Sequence, residues 1–143
     1  MEEKKIITIL EPNDEFTHEP DPVENYNESM YFNTFDIKQE IGGWFRLGNR
    51  VNEGYAEMSV CLYLPNGQVG FMFGRPKISS NLEMNAGGLQ IQVMKPFHEL
   101  KLNYEGKVCL LSDPKQMADP RTAFKENPIL DCSVSLQWDG MSP

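Results

Sequence analysis

Two carboxylates stand among aromatic residues at strand spacing: Asp36 in the run Tyr31-Phe32-Asn33-Thr34-Phe35-Asp36, and Glu57 in Tyr55-Ala56-Glu57-Met58. A carboxylic acid kept protonated by burial can give a proton to a bound substrate, which makes Asp36 the first candidate for a catalytic acid or base and Glu57 the second. Each also reads as an ordinary solvent-facing strand carboxylate, the reading we favour. Tyr31, Trp44, Phe45, Tyr55, Phe71, Phe73 and Trp138 are the candidate lining of a site for an apolar molecule, because aromatic rings offer large contact areas and π faces, and Asn33 is counted with them as a polar substrate-binding candidate. The same rings at strand spacing also suit a plain core. His98 follows Pro96-Phe97 at a strand start, either as a substrate-binding base or as a turn residue, the reading we favour. His18 lies in an acidic segment, where solvation is expected.

Other chemistries find little to stand on. There is no G-x-S-x-G elbow, and no pattern joins Ser or Cys to His. Two histidines far apart and no clustered Cys/His spacing predict no metal site and no cofactor, apart from a weak calcium alternative on the Asp113–Asp119 loop. Gly42-Gly43 and Gly87-Gly88 fall between strands with no following helix to bind an anion, so turn or bulge geometry is their expected role.

The elements that must position these residues are strands. Strong β-formers at period two run through Ser29–Lys38, Gly43–Leu47, Gly54–Leu64, Gln68–Pro76, Gly88–Met94, His98–Tyr104, Lys107–Ser112 and Leu130–Trp138. Leu64-Pro65-Asn66-Gly67-Gln68 predicts a hairpin, with positive φ supplied by Asn-Gly, and Glu105-Gly106 predicts another. The Pro-rich stretch Asp113–Pro128 is an excursion, with one helical turn expected around Arg121–Lys125. The fold class is therefore all-β: an antiparallel, lipocalin-like barrel or sandwich of about eight strands. Both faces of the long strands are semi-polar and aromatic, which suits a lined cavity.

With 143 residues, the chain fits one such domain at 29–143 behind an extended acidic arm at 1–28. Ile6–Leu10 reads as a further edge strand for this sheet or for a partner. Met1–Glu28 holds nine acids against Lys4 and Lys5, so the body is nearly neutral although the chain carries a net charge of -8. A body without a basic stripe argues against nucleic acid, and the absence of any long apolar run argues against a membrane span. Cys61, Cys109 and Cys132 are odd in number and lie among apolar residues, so free thiols are expected in a reducing cytoplasm.

A resemblance adds to this reading. It is carried by Trp44-Phe45-Arg46-Leu47-Gly48-Asn49-Arg50-Val51-Asn52-Glu53-Gly54, by Met94-Lys95-Pro96-Phe97 with Leu102-Asn103-Tyr104-Glu105-Gly106, and by the ending from Leu130 to Pro143, which includes Gln137-Trp138-Asp139-Gly140. Over about residues 28 to 143 these resemble the first half of the two-domain lipocalin-like proteins of the AttH and carotenoid 1,2-hydratase (hydroxyneurosporene synthase) superfamily, in its uncharacterised bacterial branch. The resemblance implies a hydrophobic small-molecule ligand (isoprenoid, steroid or polyketide) and cofactor-free chemistry of the hydratase, isomerase or cyclase kind. It also implies a second lipocalin-like half, supplied by another chain or by a homodimer, or trimmed away. The alternative is a non-catalytic domain that docks a partner through edge strands and the acidic arm.

Overall fold

The structure, a computed structural model, describes residues 9–141. The edge strand expected at Ile6–Leu10 lies largely outside the described residues. Among the described residues, eight antiparallel strands form one sheet: β1 (Glu28–Asp36), β2 (Ile41–Arg50), β3 (Tyr55–Tyr63), β4 (Val69–Gly74), β5 (Met84–Ala86), β6 (Leu89–Lys95), β7 (Glu99–Leu111) and β8 (Ile129–Asp139). Their order is β1-β2-β3-β4-β7-β6-β5, with β8 along the other edge of β7. The chain is all-β, and its sheet is open and sandwich-like.

Alternation explains how one sheet makes a core. Phe45 and Leu47 on β2 and Ala56, Met58 and Val60 on β3 point inward to meet Met84, Ala86, Leu89, Ile91, Leu102, Tyr104 and Val108 from β5, β6 and β7. The two halves are joined by a short ladder, Val69–Phe71 on β4 against Cys109–Leu111 on β7. Their inner faces close on each other because only that arrangement buries both apolar sets. The interior is filled by these side chains. Among the described residues no ladder joins β1 to β8, so the barrel alternative is not realised: the two free edges meet through Phe32 and Trp138, whose ring centroids lie 5.0 Å apart.

The turns show how local chemistry sets pairing. Leu64 and Gln68 close the β3–β4 loop, and Gly67 alone takes the left-handed conformation, at φ 82°. Asn66 instead accepts the Gln68 amide with its side chain, so the loop is a three-residue one rather than a two-residue Asn-Gly turn. The second expected hairpin, at Glu105-Gly106, does not form. Gly106 sits inside a continuous β7, paired with Cys132, and the Tyr104 ring folds over it so that its hydroxyl donates to the Lys107 carbonyl at 2.6 Å. A glycine there makes room for a ring.

The excursion after β7 contains a 3-10 turn at Pro114–Ala118 and helix α1 (Pro120–Glu126), which covers the expected helical turn. Asp113 and Asp119 cap these two elements, accepting the Lys115 and Thr122 amides respectively. That commits both carboxylates of the calcium alternative to capping. Helix α1 packs on the outer face of the sheet, where Ala123 and Phe124 cover Cys109, Leu111 and Phe71.

Candidate functional site

Between β1–β2 and β8 lies an apolar cleft of about 500 Å³. Ile41, Phe45 and Leu62 wall one side and Val134 and Leu136 the other, with Thr34, Asp36, Ser133 and Ser135 around them. The walls are inward residues at period two, so the same alternation that builds the core builds the cleft. Its size falls within the range of small-molecule sites. It opens between two strand edges whose outer backbone groups carry no ladder among the described residues.

Asp36 stands at this cleft, but its carboxylate closes the β1–β2 turn. Its oxygens accept the Lys38 amide at 2.9 Å, the Gln39 amide at 3.2 Å and the Gln39 side chain at 3.0 Å. The bond from the Gln39 backbone leads in holding its pKa below the ordinary value. A carboxylate so held is a turn cap, and the protonated acid expected from sequence is not what the geometry builds. Asp commonly closes a turn by accepting an amide two residues on, so its residue type allows this role. Glu57 lies on the outer face instead, 3.6 Å from Arg46 and 3.9 Å from Arg50.

The candidate aromatic residues also divide by face. Tyr31 and Asn33 on β1, Trp44 on β2 and Phe71 and Phe73 on β4 gather on the outer face of the β1–β4 half, not around a hollow. The rings run in contact from Tyr31 to Trp44 (6.2 Å), Phe71 (6.1 Å) and Phe73 (5.8 Å), with Phe124 of α1 set edge-on against the last two. Beneath Trp44, burial pushes the Cys61 thiol up to about 11, far from a reactive thiolate. Tyr31, Phe35 and Phe73 are more than half exposed. Trp138, by contrast, faces inward against Phe32.

Tyr55 opens β3 beneath the guanidinium groups of Arg50 and Arg75, at 5.9 and 5.3 Å from the ring centre. His98 sits in the β6–β7 turn, where its amide donates to the Lys95 carbonyl, a backbone role in that turn. The cysteines are free, with Cys61 and Cys109 buried and Cys132 half-buried. Among the described residues no cluster of three or more His, Cys, Asp or Glu residues could hold a metal, and no helix is long and apolar enough to cross a membrane.

One group was missed in sequence. His18, expected to be solvated, meets Glu28 through its ring and its backbone amide, and Asn81 donates to both residues. Asn49, buried on β2, donates in turn to Asn81 and to the Glu83 carbonyl. Partners separated by up to 63 residues leave no local pattern to find. Replacing Asn49 with Leu should cost about 1–3 kcal/mol, because two acceptors lose their donor in a dry site. A urea midpoint equal to that of the parent would contradict this.

A family model described as "Domain of unknown function (DUF7064)" matches residues 11–143. The chain belongs to the DUF7064 family. The match spans the arm from Glu11 as well as every strand of the sheet, so in this DUF7064 chain the His18–Glu28 contact and the cleft both lie within the family region. Neither the curated proteins nor the solved structures gave a match.

Proposed function

We propose that the chain binds a hydrophobic small molecule of isoprenoid or steroid class in the cleft between β1–β2 and β8. The observation that carries this reading is the cleft itself: about 500 Å³, walled by Ile41, Phe45, Leu62, Val134 and Leu136, with an alcohol-bearing and carboxylate-bearing rim. Burying an apolar guest against such walls contributes about 25 cal/mol per Å² of apolar surface removed from water. The resemblance to the first half of the AttH and carotenoid 1,2-hydratase superfamily supports the same ligand class. Binding is favoured over catalysis, because Asp36 caps a turn and Glu57 pairs with arginines on the opposite face. The free thiols support a reducing cytoplasm as the setting. The open β1 and β8 edges and the exposed rings of the outer face support a second lipocalin-like half as a companion.

The test is thermal unfolding of the full chain with geranylgeraniol and with a sterol. A ligand at one hundred times its Kd adds about 2.7 kcal/mol of stability, several degrees in Tm for a chain of this size. Leu136→Trp, which fills the cleft, should abolish the rise, and Phe73→Ala on the outer face should keep it. No rise with either compound, or a rise lost with Phe73→Ala and kept with Leu136→Trp, rejects the cleft as the site.

A further inference from the structure

The arm before β1 is tied down along its length, with the Asn81 amide on the His18 carbonyl among the ties. The Glu15 carboxylate accepts the Phe97 amide at 2.6 Å, and the Thr17 hydroxyl donates to the Leu82 carbonyl at 3.2 Å. The His18 ring nitrogen Nδ1 lies 2.5 Å from the Glu28 carboxylate. Further along, Asn52 donates to the Asp21 and Val23 carbonyls. Between the Glu15 and His18 ties the arm passes over a pocket of about 300 Å³, where Phe16 faces Met30, Met84, Ile91, Val93 and Met94. This pocket is separate from the β1–β8 cleft, and Met84 and Ile91 belong to the core.

We propose that the arm is a pH-sensitive strap: the His18–Glu28 ion pair latches it over the methionine-lined pocket in mildly acidic solution, and loss of the histidine charge loosens it. The hydrogen bond and charge of Glu28 raise the His18 pKa above 6.5, with Asp14 of the arm adding in the same direction. At Glu28, burial pushes the carboxyl up, but the bonds from His18 and Asn81 outweigh it and leave the pKa below 4.5. Tyr26 donates a further bond to Glu28, and the β4–β5 loop presents the uncharged amide of Asn81 to both residues. The sign follows from the proton balance. The docked arm holds the His18 proton more tightly than a free arm, so this contribution is whole below about pH 6.5 and fades as pH rises through the raised value. The Glu28 contribution is whole above about pH 4.5 and fades as pH falls through the lowered one. The strap is tightest between those limits. A neutral imidazole with its proton on Nδ1 still donates to Glu28, so the change is a weakening, about two- to fivefold in the opening equilibrium for a pair whose histidine is half exposed.

The experiment is amide hydrogen exchange on the full chain between pH 5.5 and 8.5, corrected for intrinsic rates, together with an NMR titration of His18. The Phe97 amide reports the strap because its acceptor is Glu15, and the Leu102 amide in β7 reports the whole fold. Phe97 protection should fall two- to fivefold around the His18 midpoint, itself above 6.5, while Leu102 stays constant. His18→Gln, which keeps a donor but has no charge to lose, should start lower at pH 5.5 and stay flat. A flat Phe97 profile in the parent, a step that survives in His18→Gln, or a parallel fall at Leu102 would each overturn the strap.

Discussion

Gly88→Ala should destabilise the fold by about 2–5 kcal/mol, while Gly54→Ala, at nearly the same backbone angle, should cost about 1–2 kcal/mol. Gly87 and Gly88 form the two-residue turn between β5 and β6, with φ of 63° and 86°. Positive φ at both central positions is what a type I′ hairpin requires, and Ala86 opposite Leu89 closes it. Gly54 follows the Val51–Glu53 turn at φ 82°, and an added Cβ there would meet nothing within 4 Å. Its penalty is therefore conformational alone. At Gly88 the same Cβ would come within 2.1 Å of the Glu105 carbonyl oxygen, which is backbone and cannot swing aside. The Gly88 carbonyl also accepts the Glu105 amide at 3.0 Å, so relief requires the hairpin to lift off β7. That hairpin carries Met84, Ala86, Leu89 and Ile91 into the core. Urea unfolding of the two variants decides it, and equal midpoints would mean that the turn does not press on β7.

How much of this was legible depends on the range of the physics involved. Pro65-Asn66-Gly67 announces a turn within three residues, and the β3–β4 hairpin follows from it. Gly87-Gly88 announces one as plainly, but β5 on its far side is three residues of Met-Asn-Ala with no β-branched signal, so the strand itself was missed. β7 was divided at Gly106 because a glycine inside a strand reads as punctuation; its actual role, making space for the Tyr104 ring, needs the β8 pairing that comes from 26 positions away. The junction of β4 with β7 skips two strands and has no local trace. Sidedness was the hardest part. β1 carries Phe32 inward and Tyr31 and Phe35 outward, so period two establishes that faces exist without saying which is wet. Asp36 shows the same limit: aromatic neighbours leave a dry and a solvent-facing carboxyl both open, and it takes the fold of the turn to bring the amides of Lys38 and Gln39 onto it as a cap.

The same ambiguity yields the second large effect, a pair of identical substitutions on opposite faces. Phe45→Ala should cost about 3–5 kcal/mol, the range for truncating a buried aromatic ring. Phe45 is 1% exposed, at the centre of β2, and touches both the core and the cleft. Phe73→Ala should cost less than about 1 kcal/mol, because Phe73 is 52% exposed and the surrounding rings of Phe71 and Phe124 retain their contact with each other. The contrast tests the register as well as the burial. Phe45 pairs with Val60 and Val60 with Met72, all inward, whereas Phe73 pairs with Ser59 and Ser59 with Arg46, all outward. A slip of one residue between β3 and β4 would turn Phe73 toward the core, and its removal would then cost as much as that of Phe45. Equal losses in urea midpoint for the two variants would therefore reject this sheet, and with it the cleft that Phe45 walls. A large loss at Phe45 alone leaves the outer ring cluster as surface, free to meet a second half without being needed for folding.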